Sequence, residues 1–140
     1  MRVPTDYAIL NDIYDHYYRQ FANFPADAPA REAKIYVPLD IRSIAKRLGV
    51  DPDIIFGRLY YHLEEKHGYR RETGVHVAFF SRAVGEDRDC INFPLLGAVL
   101  AGLREERRKD RWAIGIAVVS LIVSVVSVAI SLGSKAANVG

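Results

Sequence analysis

Apolar and polar positions follow two rhythms along this chain, and near its end the polar ones almost stop. After Thr5, apolar residues recur at Leu10, Ile13, Tyr14, Tyr17 and Phe21, with Asn11, Asp12, Asp15, His16 and Arg19 between them. That is the period of a helix with one buried face, and Thr5 is a good cap. The helix is predicted to end near Asn23, where "NFPADAPARE" brings two prolines and loop composition. "KIYVPL" is a short β-rich run, and its Pro38 suits a strand end or a sheet edge. Asp40 is predicted to cap a second helix that turns Ile41, Ile44, Ala45 and Leu48 inward and stops at Gly49. Asp51 and Pro52 open a third, through "DIIFGRLYYHLEEK" to Gly68, with Ile55, Leu59 and Leu63 on its inner line. "VHVAFFS" and "DRDCINF", with the turn-like "VGEDRD" leading into the second, read as an antiparallel hairpin. Pro94 then opens a last helix with no clear break before the apolar tail.

From Trp112 to Gly133 the chain has 22 residues with no charge and no proline. As a helix they span roughly 33 Å, enough for a bilayer core. The expectation is a transmembrane helix over 112–133. It is followed by a tail over 134–140, "SKAANVG", and the implied insertion is post-translational, as in tail-anchored proteins. The N-terminus has no basic region followed by a long apolar run, so it does not read as a secretory signal. Arg104, Arg107, Arg108, Lys109 and Arg111 precede the span and only Lys135 follows it. That asymmetry predicts an N-terminal domain in the cytoplasm. The same basic residues, on an amphipathic juxtamembrane helix over 94–111, should meet anionic lipid headgroups at ~1 kcal/mol each, less the opposition of three acids.

Within the span, Ser120, Ser124, Ser127 and Ser131 are spaced in steps of four, three and four. Continued backwards, the rhythm passes Ala117, Ala113, Asp110, Glu106, Leu103 and Val99 to Leu96. This is a heptad seam in which Leu96, Val99 and Leu103 suit association in water. Ala113, Ala117 and the serines suit close approach and hydrogen bonding in lipid. It predicts a homo-oligomer. Two alternatives stand beside it. Each serine can bond a carbonyl of its own helix and signify nothing. Several helices with serines inward would instead line a small pore, as in simple serine-heptad channel peptides.

Charge bears on the partner of the N-terminal domain. Residues 1–103 hold 13 Lys/Arg against 14 Asp/Glu, so the excess of positive charge lies in the last helix. The stretch "IAKRLGVDPDIIFGRLYYHLEEKHGY" resembles the winged helix-turn-helix superfamily. Ala45, Gly49 and Val50 match its turn, and "LEEKHGY" before the hairpin is similar to the usual passage into the wing. The resemblance covers about residues 5–93. It implies an α+β fold: a winged-helix-like domain of three helices and a β-hairpin over 1–93, followed by a long helix that continues into a single span. In DNA-binding members the third helix enters the major groove. Here that helix starts Asp51-Pro52-Asp53 and carries one residue more ahead of Arg58 than common winged-helix sequences. The face it offers to nucleic acid or to a protein partner is Arg58, Tyr61 and His62, with Arg70 and Arg71 beyond. Without a basic footprint, nucleic acid is disfavoured and a protein partner expected.

No catalytic pattern emerges. His16, His62, His67 and His76 form no zinc spacing, and there is no phosphate loop or G-x-S-x-G. The lone Cys90 reads as core filling. No cofactor and no enzymatic activity are expected. The role implied is a membrane-anchored, self-associating adaptor or regulator. Its rivals are a membrane-tethered transcription regulator and a pore-forming or membrane-disrupting effector.

Overall fold

The computed structural model describes residues 2–25 and 31–139, with side chains in the last helix as far as residue 136. It divides into two compact units, Met1–Leu103 and Arg104–Gly140.

The first unit is mixed helix and sheet. Helix α1, Asp6–Ala22, begins where the Thr5 hydroxyl accepts the Ala8 N–H at 3.1 Å. It buries Ile9, Leu10, Ile13 and Tyr17. The Tyr17 hydroxyl accepts the Asp40 N–H at 2.7 Å, which ties α1 to the start of α2, Ile41–Leu48. Asp40 caps α2 by accepting the N–H and the hydroxyl of Ser43, at 3.2 and 2.6 Å. Gly49 ends it at φ +70°, a conformation that glycine adopts without a side-chain penalty. Asp51 then caps α3, Pro52–Gly57. The helix does not stop there: it widens into a π-helical segment, Arg58–Leu63, and continues as α4, Glu64–His67. A π turn holds one residue more than an α turn.

Three strands form one antiparallel sheet. They are β1 (Tyr36–Pro38), β4 (Phe80–Val84) and β5 (Asp87–Asn92), in the order β1-β5-β4. Pro38 lies on an edge strand, where its missing N–H costs no ladder bond. Val37 pairs with Ile91, Phe80 with Ile91 and Val84 with Asp87, so the hairpin turns at Gly85–Glu86. Two further strands, β2 (Tyr69–Arg70) and β3 (His76–Val77), make a separate ladder. The hairpin expected to start at Val75 therefore starts at Phe80, and His76 and Val77 belong elsewhere. Glu64 accounts for the break. Its Oε2 accepts the N–H groups of Phe79 and Phe80 at 2.6 and 2.7 Å, in place of a strand partner.

Helix α5 runs Phe93–Val139. Its first turns complete the core of this unit. Phe93, Leu96 and Leu100 are buried with Ile9, Ile13, Leu59 and Phe79, while Val99 and Leu103 pack against them. The Phe93 ring stacks on Tyr14 and Phe21 at 5.4 and 4.8 Å. The segment leading into β1 is held by Arg31, whose guanidinium donates to the carbonyls of Gln20, Ala33 and Lys34, each at 2.9 Å.

The second unit is the remainder of α5. It is long and apolar enough to cross a membrane. Its large apolar side chains from Trp112 to Leu132 are all exposed. Lys109 pairs with Glu105 at 3.7 Å, and Arg104, Arg107, Arg108 and Arg111 share this exposed stretch.

Candidate interaction face

The helical run over 52–67 turns Ile55, Leu59 and Leu63 into the core with no exposed area. Two of the side chains expected to face a partner are drawn aside. Arg58 Nη1 donates to Asp6 Oδ1 at 2.8 Å, and His62 Nε2 lies 3.2 Å from Asp6 Oδ2. Burial pushes the Asp6 carboxyl up, but hydrogen bonds from Arg58 and His62 outweigh it and leave the group below the usual aspartate value. Asp6 and Arg58 are each only about one-fifth exposed. Of the two fixed positive charges of this helix, Arg58 therefore has its counter-ion within the fold, while Lys66 is exposed in the last turn.

Apolar and aromatic groups remain on the outside. Ile54 is 48% exposed, Tyr60 38% and Tyr61 74%. Phe56 and Tyr60 stack at 5.4 Å, Tyr61 meets Tyr60 edge-on at 4.9 Å, and Phe56 sets its edge against the buried Phe80 at 6.0 Å. The Tyr61 ring also covers Gly57. Arg82, from β4, lays its guanidinium over Phe56 at 5.9 Å and over Tyr60 at 5.7 Å. The result is an aromatic shelf with one cation upon it. Tyr61 was legible in the sequence, whereas Ile54, Tyr60 and Arg82 were missed. The available signal was the i, i+4 pair of Phe56 and Tyr60, which meets on any helix. Arg82 had none, because it arrives from a strand distant in sequence.

Arg70 and Arg71 do not stack on these rings. Arg70 lies in β2 and reaches the Gly74 carbonyl at 3.5 Å, and both side chains are exposed. The shelf is fastened to the sheet through Glu64. Besides the Phe79 and Phe80 amides, this carboxylate lies 2.9 Å from His76 Nε2. Gly68 gives it room, since a Cβ there would stand 2.6 Å from Glu64 Oε1. Close approach, and not backbone conformation, requires that glycine.

Other reactive groups are quiet. Cys90 is buried, and burial, reinforced by Asp87 and Asp89, pushes its thiol up to about 11. A thiol so placed stays protonated at neutral pH and is a poor nucleophile. Among the described residues no group of three His, Cys, Asp or Glu side chains is placed to hold a metal ion.

The expected seam divides at the boundary between the units. Leu96 is fully buried, and Val99 and Leu103 pack against the same core. Leu96 therefore belongs to the domain's own interior, while Val99 and Leu103 pack against it and stay partly exposed. Ala113, Ala117, Ser120, Ser124, Ser127 and Ser131 are exposed. Of these, Ser124 donates to the Ser120 carbonyl and Ser127 to the Val123 carbonyl, each at 2.9 Å. Their protons are thus used within the helix, and what they offer a neighbour is chiefly small size. Compared with known protein families, with curated proteins and with solved structures, the chain matches none.

Proposed function

We propose that this chain is a membrane-anchored interaction module. In this reading a winged-helix domain faces the cytoplasm, binds a protein through the outer face of its third helix, and acts as a non-enzymatic adaptor or regulator. Three helices, an early strand, a later hairpin and the strand order β1-β5-β4 support the winged-helix reading. The apolar run of α5, with five basic residues on its N-terminal side, supports a single pass in that orientation. The small-residue face from Ala113 to Ser131 supports self-association.

The observation that carries the reading is the division of labour on the third helix. Arg58 closes on Asp6, His62 touches the same carboxylate while staying half-exposed, and Ile54, Tyr60 and Tyr61 are left outward. Nucleic-acid binding relies on cations directed at phosphates. A protein interface is built around exposed aromatic anchors. The test places a photo-crosslinking residue at position 61 of the full chain in native membranes, and another at Lys46 on α2 as control. Protein adducts formed at 61 and not at 46 support the reading. Nucleic-acid adducts at 61, together with a salt-sensitive shift of random duplex by the full chain in micelles, overturn it in favour of a tethered DNA-binding regulator.

A further inference from the structure

Resting on that reading, we infer that the shelf recognises a peptide segment carrying a carboxylate beside an apolar side chain. Arg82 receives the carboxylate, and Tyr60 and Tyr61 receive the apolar group. The shelf has one cation, and its state is unusual. The guanidinium of Arg82 is spread over two rings, and its N–H donors meet no acceptor among the described residues. A guanidinium whose donors meet no acceptor has its fork available for the two oxygens of a carboxylate. Stacking also lowers the entropy lost when that fork is engaged.

The residue across the ladder strengthens the case. The register Ser81–Cys90 and Ala83–Arg88 puts Asp89 opposite Arg82. An aspartate there is the natural counter-ion for an arginine, since opposite charges on paired strands attract. No ion pair forms. Asp89 instead takes φ +52°, and its carbonyl accepts the Leu39 N–H at 2.9 Å. A left-handed backbone at a residue other than glycine costs on the order of 1–3 kcal/mol and must be maintained by its surroundings. Here it accompanies a cross-strand carboxylate that is unpaired with Arg82.

Charge also selects the class of occupant. Phe56 also lines a groove in which three carboxylates, Asp40, Asp53 and Asp89, outnumber one cation, Arg42. A nucleic-acid strand carries a phosphate at every step and would bring several of them against these acids. A peptide with one carboxylate next to an apolar residue satisfies Arg82 and covers the tyrosines without doing so.

The experiment selects a displayed library of random peptides against the full chain in lipid nanodiscs. Affinities of the enriched peptides are then measured for the native chain, Arg82→Glu, Arg82→Lys and Tyr61→Ala. Arg82 and Tyr61 are exposed, and thermal unfolding checks that each variant folds. Enriched peptides are expected to carry Asp or Glu within two positions of an aromatic or aliphatic residue. They should lose about tenfold or more on Arg82→Glu and on Tyr61→Ala, and less on Arg82→Lys. Replacing the peptide carboxylate by Lys should restore binding to Arg82→Glu. Peptides that need Tyr61 but bind Arg82→Glu equally well overturn the carboxylate inference and leave the interaction face standing. Peptides indifferent to both residues, or no enrichment at all, overturn both. Displacement of the peptides by a random single-stranded oligonucleotide at physiological salt overturns the choice of a peptide.

Discussion

Leu96 and Leu121 are the same residue on the same helix, and they are 0% and 66% exposed. The first lies in the Met1–Leu103 unit and fills its core; the second lies in the Arg104–Gly140 unit, among large apolar groups that are all exposed. The heptad rhythm runs through both regions without a change of step, yet periodicity alone does not say what buries a residue. In the first region the chain supplies its own cover: Leu96 is fully used, and Val99 and Leu103 are used in part. In the second, something outside the chain must supply it, and lipid fits the length and the absence of charge.

The contrast is broken most severely at Leu96. Leu96→Ala is expected to destabilise the N-terminal unit by about 2–5 kcal/mol, the usual cost of a core cavity. Leu121→Ala should stay within about 0.5 kcal/mol in the same assay. Denaturant unfolding of the full chain in micelles, followed by tyrosine fluorescence, reads both. A small effect at Leu96 would restore it to an intermolecular seam. Next comes Glu64→Ala. It strips the amides of Phe79 and Phe80 of their acceptor, at about 1–3 kcal/mol for each donor left unsatisfied. The β4 amides should also lose their protection in hydrogen exchange.

A smaller effect attaches to Asp6. Its carboxyl is held below the ordinary value of 3.8 in the folded state. The stability that this carries is therefore complete above about pH 4 and is lost as the pH falls through the lower, folded value. Asp6→Asn is expected to cost about 1–2 kcal/mol at pH 7. It should also flatten the dependence of unfolding on acid below about pH 4. A curve parallel to the native one would mean that the Arg58 and His62 contacts do not hold in solution. In that event Arg58 would be free to face a partner.

Much of this was open to the sequence because capping chemistry is local. Thr5, Asp40, Gly49, Asp51 and Pro52 act on neighbours within a turn, and each marks the helix end that it marks in the structure. What escaped depends on contacts between distant positions. Asp6 and Arg58 are separated by about half of the domain, so the withdrawal of that cation has no local sign. The same holds for Glu64 with Phe79 and Phe80, which moved the start of the hairpin, and for Arg82 above Phe56 and Tyr60. The outward face of the third helix was therefore read as more basic and less aromatic than it is.

The finest division lies within the apolar helix, between the size of the seam residues and their hydroxyls. If the hydroxyls bind a neighbouring helix, removing one should weaken association by ~0.6 kcal/mol, the average for such bonds in a bilayer. Ser124, however, already donates to the Ser120 carbonyl at 2.9 Å. A bond to a second helix as donor would require this one to break, so the two nearly cancel. Ser124→Ala keeps the small profile and is expected to shift self-association by no more than a few tenths of a kcal/mol. Ala117→Leu keeps every hydroxyl and enlarges the profile, and it should weaken association more. Fluorescence energy transfer between labelled full chains, across a series of protein-to-lipid ratios, measures both. If Ser124→Ala were the stronger of the two, the serines would act as donors between helices, and the local hydrogen bond would be only their resting position.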